Sequence, residues 1–194
     1  MSRIIRMATE ADSEAILKIY APYITGTAIT FETEIPSVSD FTARIVAIMK
    51  RYPFLVCEND GEIVGYSYAS RHRERAAYLY DVDTTICLNP EYHGSGAADK
   101  LYNCLLQILE KLGDYNAYAA YVIPNEKSAR FHEKHKFIPV GTYPRTGYKR
   151  GRWHDLVWVW RTIKEHVDRP ERVKSVSELT PEYLEGIFAC SSSS

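Results

Sequence analysis

Tyr80-Asp81-Val82-Asp83-Thr84-Thr85-Ile86-Cys87-Leu88-Asn89-Pro90-Glu91-Tyr92-His93-Gly94-Ser95-Gly96-Ala97-Ala98 is the stretch that decides the fold. A strand-like run breaks at Asn89-Pro90. A loop with two glycines then leads into residues 96–112, where Leu101, Leu105, Ile108, Leu109 and Leu112 mark one buried helix side that Gly113 ends. Two glycines with small neighbours let successive backbone N–H groups turn toward one point, and the helix adds its positive N-terminal end, which makes an anion cradle. A P-loop needs Gly-Lys-Ser/Thr at its end, which is absent, and a dinucleotide fingerprint needs a third glycine where Asp99 stands. Taken alone, the segment also reads as a glycine loop with no ligand.

Upstream, a basic loop at 71–75 leads into a predicted strand over 78–88, and strands at 54–58 and 63–70 flank the tight turn Asn59-Asp60-Gly61. A helix over 39–51 carries Phe41, Ile45, Ile48 and Met49 on one side and stops at Pro53. An earlier helix starts at Thr9 and buries Ala15, Ile16, Ile19, Tyr20 and Tyr23, after a short strand at 3–7. Downstream come a strand at 117–123, a helix at 125–135, and strands at 137–143 and 156–161 joined by a loop over 144–155. This order predicts a mixed α/β fold, with a central twisted sheet of about seven strands flanked by about four helices. Beyond 163 the chain turns polar, so residues 1–163 read as one domain and 164–194 as a polar C-terminal tail with a short helix near 181–188.

The chain has 194 residues, 45% hydrophobic and 25% charged, the range of an ordinary globular protein. A net charge of −1 offers no basic field, which argues against nucleic acid as a partner. Cys57, Cys87, Cys104 and Cys190 have neither CxxC nor metal-ligand spacing and read as buried free thiols, with no metal expected. With no apolar leader and no run near the ~20 residues that span a bilayer, the expected setting is the cytoplasm, away from membranes.

His93-Gly94-Ser95-Gly96-Ala97-Ala98 resembles the pyrophosphate loop of the GNAT N-acetyltransferase superfamily, Arg/Gln-x-x-Gly-x-Gly/Ala after the fourth strand, with His93 in place of the first residue. Asn125, Ser128 and His132 are similar to a second superfamily element, with histidine where a tyrosine is usual. Thr30-Phe31-Glu32-Thr33-Glu34, Arg51-Tyr52-Pro53-Phe54-Leu55-Val56, Ala76-Ala77-Tyr78, Pro124-Asn125-Glu126-Lys127-Ser128, Phe131-His132-Glu133 and the segment from Gly147 to Asp155 resemble one branch, the phosphinothricin acetyltransferase-like enzymes. The likeness runs in order over about residues 3–163 and leaves the tail unexplained.

The resemblance implies an acetyl-CoA-dependent N-acetyltransferase acting on the primary amine of a small amino acid or analogue, by direct attack in a ternary complex. It implies coenzyme contacts from Ile86, Cys87 and Leu88 on the strand and from His93, Gly94, Ser95, Gly96, Ala97, Ala98, Asp99, Asn125 and Ser128. Attack needs an amine without its proton, so a base is required. The branch carries a glutamate where Asp83 stands, and Asp83 is one methylene shorter, which favours a bridging water. Asp81 shares its strand face, and facing carboxylates raise each other's pKa; the other reading has these groups solvated or paired with Arg71, Arg73 or Arg75. The resemblance gives His132 a catalytic role, as base or as acid toward the departing thiolate, and leaves His135 on the surface. Alternation along the strand points Cys87 away from Ile86 and Leu88, against an acetyl-cysteine intermediate.

For the acceptor, Arg75 and Tyr78 are the expected carboxylate contacts, and Phe31 and Trp153 the apolar wall. Glu32 stands where relatives that acetylate phosphinothricin often have arginine, which turns the expectation toward a neutral or basic amino acid; the other reading makes Glu32 a solvated loop residue. The segment from Gly147 to Asp155 resembles the part that forms a homodimer in this branch. Two rival readings are a peptide or protein N-acetyltransferase and an acetyl-CoA-binding module with little turnover.

Overall fold

The computed structural model describes residues 3–192, and the side chain of Cys190 and the serine run after it lie outside the described side chains. In chain order the elements are β1 (Arg3–Met7), α1 (Ser13–Gly26), α2 (Val38–Met49), β2 (Phe54–Asn59), β3 (Glu62–Arg71), β4 (Asp81–Leu88), α3 (Ala97–Leu112), β5 (Asn116–Ile123), α4 (Glu126–Lys134), β6 (Ile138–Lys149), β7 (Arg152–Thr162) and α5 (Pro181–Ser192). The strands form one sheet in the order β1-β2-β3-β4-β5-β7-β6. Neighbours run antiparallel except β4 and β5, which are parallel and joined through α3. The predicted mixed α/β class and element order hold.

Both faces of the sheet are covered. On one, Leu101, Leu105, Ile108, Leu109 and Leu112 of α3 are at most 1% exposed and pack on Leu55, Val64, Ala69, Val82 and Ala117. Each such aliphatic side chain stabilises the fold by about 2 kcal/mol. On the other face, Ile16 and Ile19 of α1 and Phe41 and Ile45 of α2 pack on Phe54, Val56 and Tyr66. Cys57 and Cys104 are buried and Cys87 is half-buried.

Two sequence expectations need correction. Residues 144–155 are not a loop: β6 and β7 form a long hairpin closed at Arg150 and Gly151, both at positive φ, a geometry that favours a tight hairpin turn. Pro144 is tolerated because β6 is an edge strand and its register shifts between Tyr143 and Gly147. The strand expected over 78–88 begins at Asp81, because Ala76–Tyr78 form a 3-10 turn. The tail, which the sequence left unplaced, packs on the body. Lys174 N donates to Leu112 O at 2.8 Å and Val176 N to Arg51 O at 2.9 Å, while Val173, Val176 and Ile187 join the α3 core. Leu179, Tyr183, Leu184 and Phe188 pack beside them, so spaced apolar residues dock a segment whose overall composition is polar. No helix among the described residues is long and apolar enough to cross a membrane.

Candidate active site

The sheet opens at its centre. β3 pairs with β4 from Arg71–Val82 through Gly65–Leu88, and β5 pairs with β7 over its whole length. β4 and β5 pair only at Asp81–Asn116, Val82–Ala117 and Asp83–Tyr118. From Thr84 onward the two strands part, so the β5-facing backbone groups of Thr84 to Leu88 have no strand partner on that side. At the apex the Tyr102 hydroxyl lies 2.7 Å from Thr84 Oγ1, which donates to Tyr118 O at 3.0 Å. Both Thr84 and Tyr102 are buried, and neither was among the site residues expected from sequence.

The glycine loop stands at the mouth of this opening. Gly94 and Gly96 have φ of 78° and 79°, a left-handed conformation that glycine adopts without penalty, and Gly96 caps α3. Ala97 and Ala98 begin the helix, so the N–H groups of its first turn face the loop with the helix's partial positive charge. Arg3 Nη1 donates to Ser95 O at 2.8 Å and fixes the loop from β1. Tyr23 donates to Leu88 O at 2.6 Å, and its oxygen is 3.2 Å from His93 Nε2. Burial first, and then Lys127, hold the His93 pKa below its ordinary value, against a hydrogen bond to the Leu88 backbone.

Alternation on β4 sends Val82 and Thr84 toward α3 and Asp81, Asp83 and Cys87 toward the other face. Asp81 Oδ1 accepts from Asn116 Nδ2 at 2.8 Å. Asp83 is paired with none of the three arginines proposed for it: Arg71 is bound to Glu74, and Asp83 Oδ1 lies 2.7 Å from Nδ1 of His72, a residue the sequence reading passed over within the basic loop. Burial is the main cause that raises the Asp83 pKa, the His72 bond and Arg73 oppose it, and Asp81 adds only the smallest push. The mutual elevation of two carboxylates is therefore a minor effect. Extending the β3–β4 register by one residue sets His72 opposite Asp81 and diagonal to Asp83, which was the signal available in the sequence. Burial pushes the Cys87 thiol up to about 12, which leaves almost no thiolate at neutral pH and removes the nucleophile an acetyl-cysteine needs.

His132 lies on the α3 face. Its ring stacks on Tyr121 at 5.6 Å and meets Tyr102, Phe131 and Phe137 edge-on, with 7% of the residue exposed. Nδ1 is 2.8 Å from Ser128 O, so it carries the proton, and in the neutral ring Nε2 is a lone pair. Burial lowers its pKa and keeps it neutral. A neutral ring in that tautomer offers Nε2 as a hydrogen-bond acceptor. His135, expected on the surface, is instead buried, with Nε2 3.1 Å from Asp99 Oδ1. Lys134 holds the other Asp99 oxygen at 2.8 Å, so the Asp99 side chain ties α3 to α4 and only its backbone is left to the cradle. Asn125 caps α4 by accepting from Ser128 N at 3.1 Å, and its Nδ2 is a buried donor with no partner.

A family model described as an acetyltransferase (GNAT) domain matches residues 5–158. The chain belongs to the GNAT acetyltransferase family. It is 33% identical over 175 residues to a phosphinothricin N-acetyltransferase of Streptomyces viridochromogenes, covering 90% of this chain and 95% of that protein. It is 29% identical to an L-methionine sulfoximine/L-methionine sulfone acetyltransferase of Salmonella typhimurium, covering 84% of this chain and 95% of that one. The solved structure of a GNAT superfamily phosphinothricin acetyltransferase from Sinorhizobium meliloti, in complex with acetyl-CoA, superposes with a TM-score of 0.83 at 30% identity, over 88% of this chain and 94% of that one. The protein is thus an acyltransferase, close to these amino-acid-analogue N-acetyltransferases.

The GNAT acetyltransferase groups only some of the expected acceptor contacts. The Tyr78 ring is 6.0 Å from the His72 ring, and Arg75 caps the 3-10 turn that carries Tyr78. Phe31 packs over the β6–β7 hairpin: a Cβ at Gly147 would meet its ring at 2.3 Å, and His154 is 6.5 Å away. Trp153 does not share that wall. Alternation turns it to the opposite hairpin face, where it packs on Tyr148 at 5.3 Å and is 58% exposed. Glu32 is not a solvated loop residue either, since Arg44 Nη1 holds Oε1 at 2.8 Å and the Tyr20 hydroxyl reaches it at 3.4 Å.

Proposed function

We propose that this acetyltransferase moves an acetyl group from acetyl-CoA to the primary amine of a small amino acid or amino-acid analogue, by direct attack in a ternary complex. The observation that carries the reading is the parting of β4 and β5 just beyond Asp83, with an anion cradle at the mouth and a proton-accepting pair at the apex.

The residues present fit the coenzyme. The unpaired edge of Thr84 to Leu88 suits a pantetheine arm with two amides, which pairs like an added strand. The backbone N–H groups of residues 94–98 and the α3 dipole suit a pyrophosphate, and the unused Asn125 Nδ2 supplies a donor at the start of α4. Acetyl-CoA supplies an activated acyl group. A β4 backbone N–H polarises the acyl oxygen, and such a donor is commonly worth about 100-fold or more in rate. Asp83 and the imidazole bonded to it relieve the amine of its proton on the other face. Glu32, neutralised by Arg44, adds no cation for a second anionic group, which favours an acceptor with a neutral or basic side chain. Ile138, Val140, Tyr148 and Trp153, each more than half exposed on the β6–β7 hairpin, support a homodimer built on that edge.

The test is product analysis by mass spectrometry after incubation with acetyl-CoA and a panel of amino acids. N-acetylation of a neutral or basic amino acid supports the reading. Coenzyme binding without any acetylated small amine, or acetylation confined to peptide N-termini, overturns it in favour of one of its rivals.

A further inference from the structure

The imidazole of His72 has the surroundings of a working base. It stacks on Tyr118 at 4.1 Å with planes 11° apart, and Tyr78 and Trp158 meet it edge-on at 6.0 and 5.9 Å, so the ring is held on three sides. Its side chain is 9% exposed and Nδ1 is 2.7 Å from Asp83 Oδ1. Tyr118 is the β5 partner of Asp83 in the last backbone pair before the strands part, so the dyad sits at the apex of the opening. The charged and titratable groups around it are Asp83, Arg73, Asp81, Tyr78 and Tyr118. A carboxylate that accepts from Nδ1–H fixes the tautomer with a bare Nε2 lone pair and stabilises the imidazolium once Nε2 is protonated. No hydrogen bond to Nε2 is formed among the described residues.

We propose that His72 Nε2 is the atom that takes the acceptor's proton and that Asp83 is its positioning residue. This rests on the acetyl-transfer reading above. As the neutral amine forms the N–C bond, the C–S electron pair leaves on sulfur as the coenzyme A thiolate. The amine proton passes to Nε2 and then through water to that thiolate, giving the free thiol, while the Nδ1 proton stays on the ring. The shorter aspartate is then no handicap, because the imidazole provides the reach. An imidazole also has an ordinary pKa much nearer neutrality than a carboxylate, which suits a general base at physiological pH.

Two measurements test it. In the first, kcat/KM is followed against pH for wild type, His72→Phe, His72→Gln and Asp83→Asn. The proposal expects both His72 variants to lose about 100-fold or more and to lose the acidic limb, with coenzyme affinity kept. Asp83→Asn should keep that limb with a lowered kcat, because the ring has lost the carboxylate that fixes its tautomer. An acidic limb that survives in both His72 variants but vanishes in Asp83→Asn overturns the proposal. The second measurement, the 15N chemical shifts of the His72 ring in the wild-type chain, needs no turnover. A proton on Nδ1 and a bare Nε2 at pH 8 are expected, and the opposite tautomer overturns the proposal. If wild type acetylates no amine while this tautomer is found, the acetyl-transfer reading fails and the dyad stands as a structural finding.

Discussion

Thr84 Oγ1 donates to the carbonyl of Tyr118 at 3.0 Å, one residue past the last β4–β5 backbone pair. A side chain thus takes over where the ladder stops, and the Tyr102 hydroxyl completes the chain at 2.7 Å. Thr84→Val keeps the shape and deletes the oxygen, which strands a buried tyrosine hydroxyl and a carbonyl. It should cost about 2 to 4 kcal/mol in urea unfolding and raise the KM for acetyl-CoA, whereas Tyr102→Phe should cost about 1 kcal/mol.

Gly96→Ala tests the cradle. Its φ of 79° imposes about 1 to 2 kcal/mol of strain on alanine, although no atom would touch the added methyl. Isothermal titration should show acetyl-CoA binding weakened about 10-fold, with a change in thermal stability no larger than that strain explains.

Asp114 predicts a pH dependence of stability. It lies in the turn after α3, is 1% exposed, and neither carboxylate oxygen has a partner. Burial pushes its pKa up to about 7, opposed by Arg51 and aided by Asp81. Unfolded, it ionises near the ordinary value of about 4. Between these values the folded chain holds the extra proton, so this group's contribution to stability falls as pH rises through the window and stays low above it. Asp114→Asn should remove most of a loss on the order of a few kcal/mol. Thermal melts should show a smaller drop from pH 5 to pH 8 in the variant than in wild type.

Much of this was legible in the sequence, and the limits were physical. Helix α3 announced itself because its apolar residues recur at helical spacing up to Gly113, and the cradle because glycines at Gly94 and Gly96 precede a helix. The β6–β7 hairpin was hidden because Gly141, Pro144 and Gly147 are loop residues by local propensity, and only edge placement and Phe31 packing on Gly147 explain them. His72 was hidden because its role depends on a cross-strand diagonal and a ring from β5, neither of which is local in sequence.

The pairing of Glu32 with Arg44 makes a specificity prediction. Glu32→Arg should lower kcat/KM for neutral and basic amino acids and raise it for glutamate analogues, shifting the ratio at least 10-fold. Arg44→Ala, which removes the ion-pair partner of Glu32, should shift preference further toward basic acceptors. Competition assays with paired acceptors read both ratios directly.

Direct transfer at the β4–β5 opening is most directly tested by initial-velocity kinetics of thiol release, varying acetyl-CoA against the best amino-acid acceptor. Intersecting double-reciprocal lines, with thiol released one for one with N-acetylated product, are the predicted result. Parallel lines, or thiol release that no small amine stimulates, would contradict it.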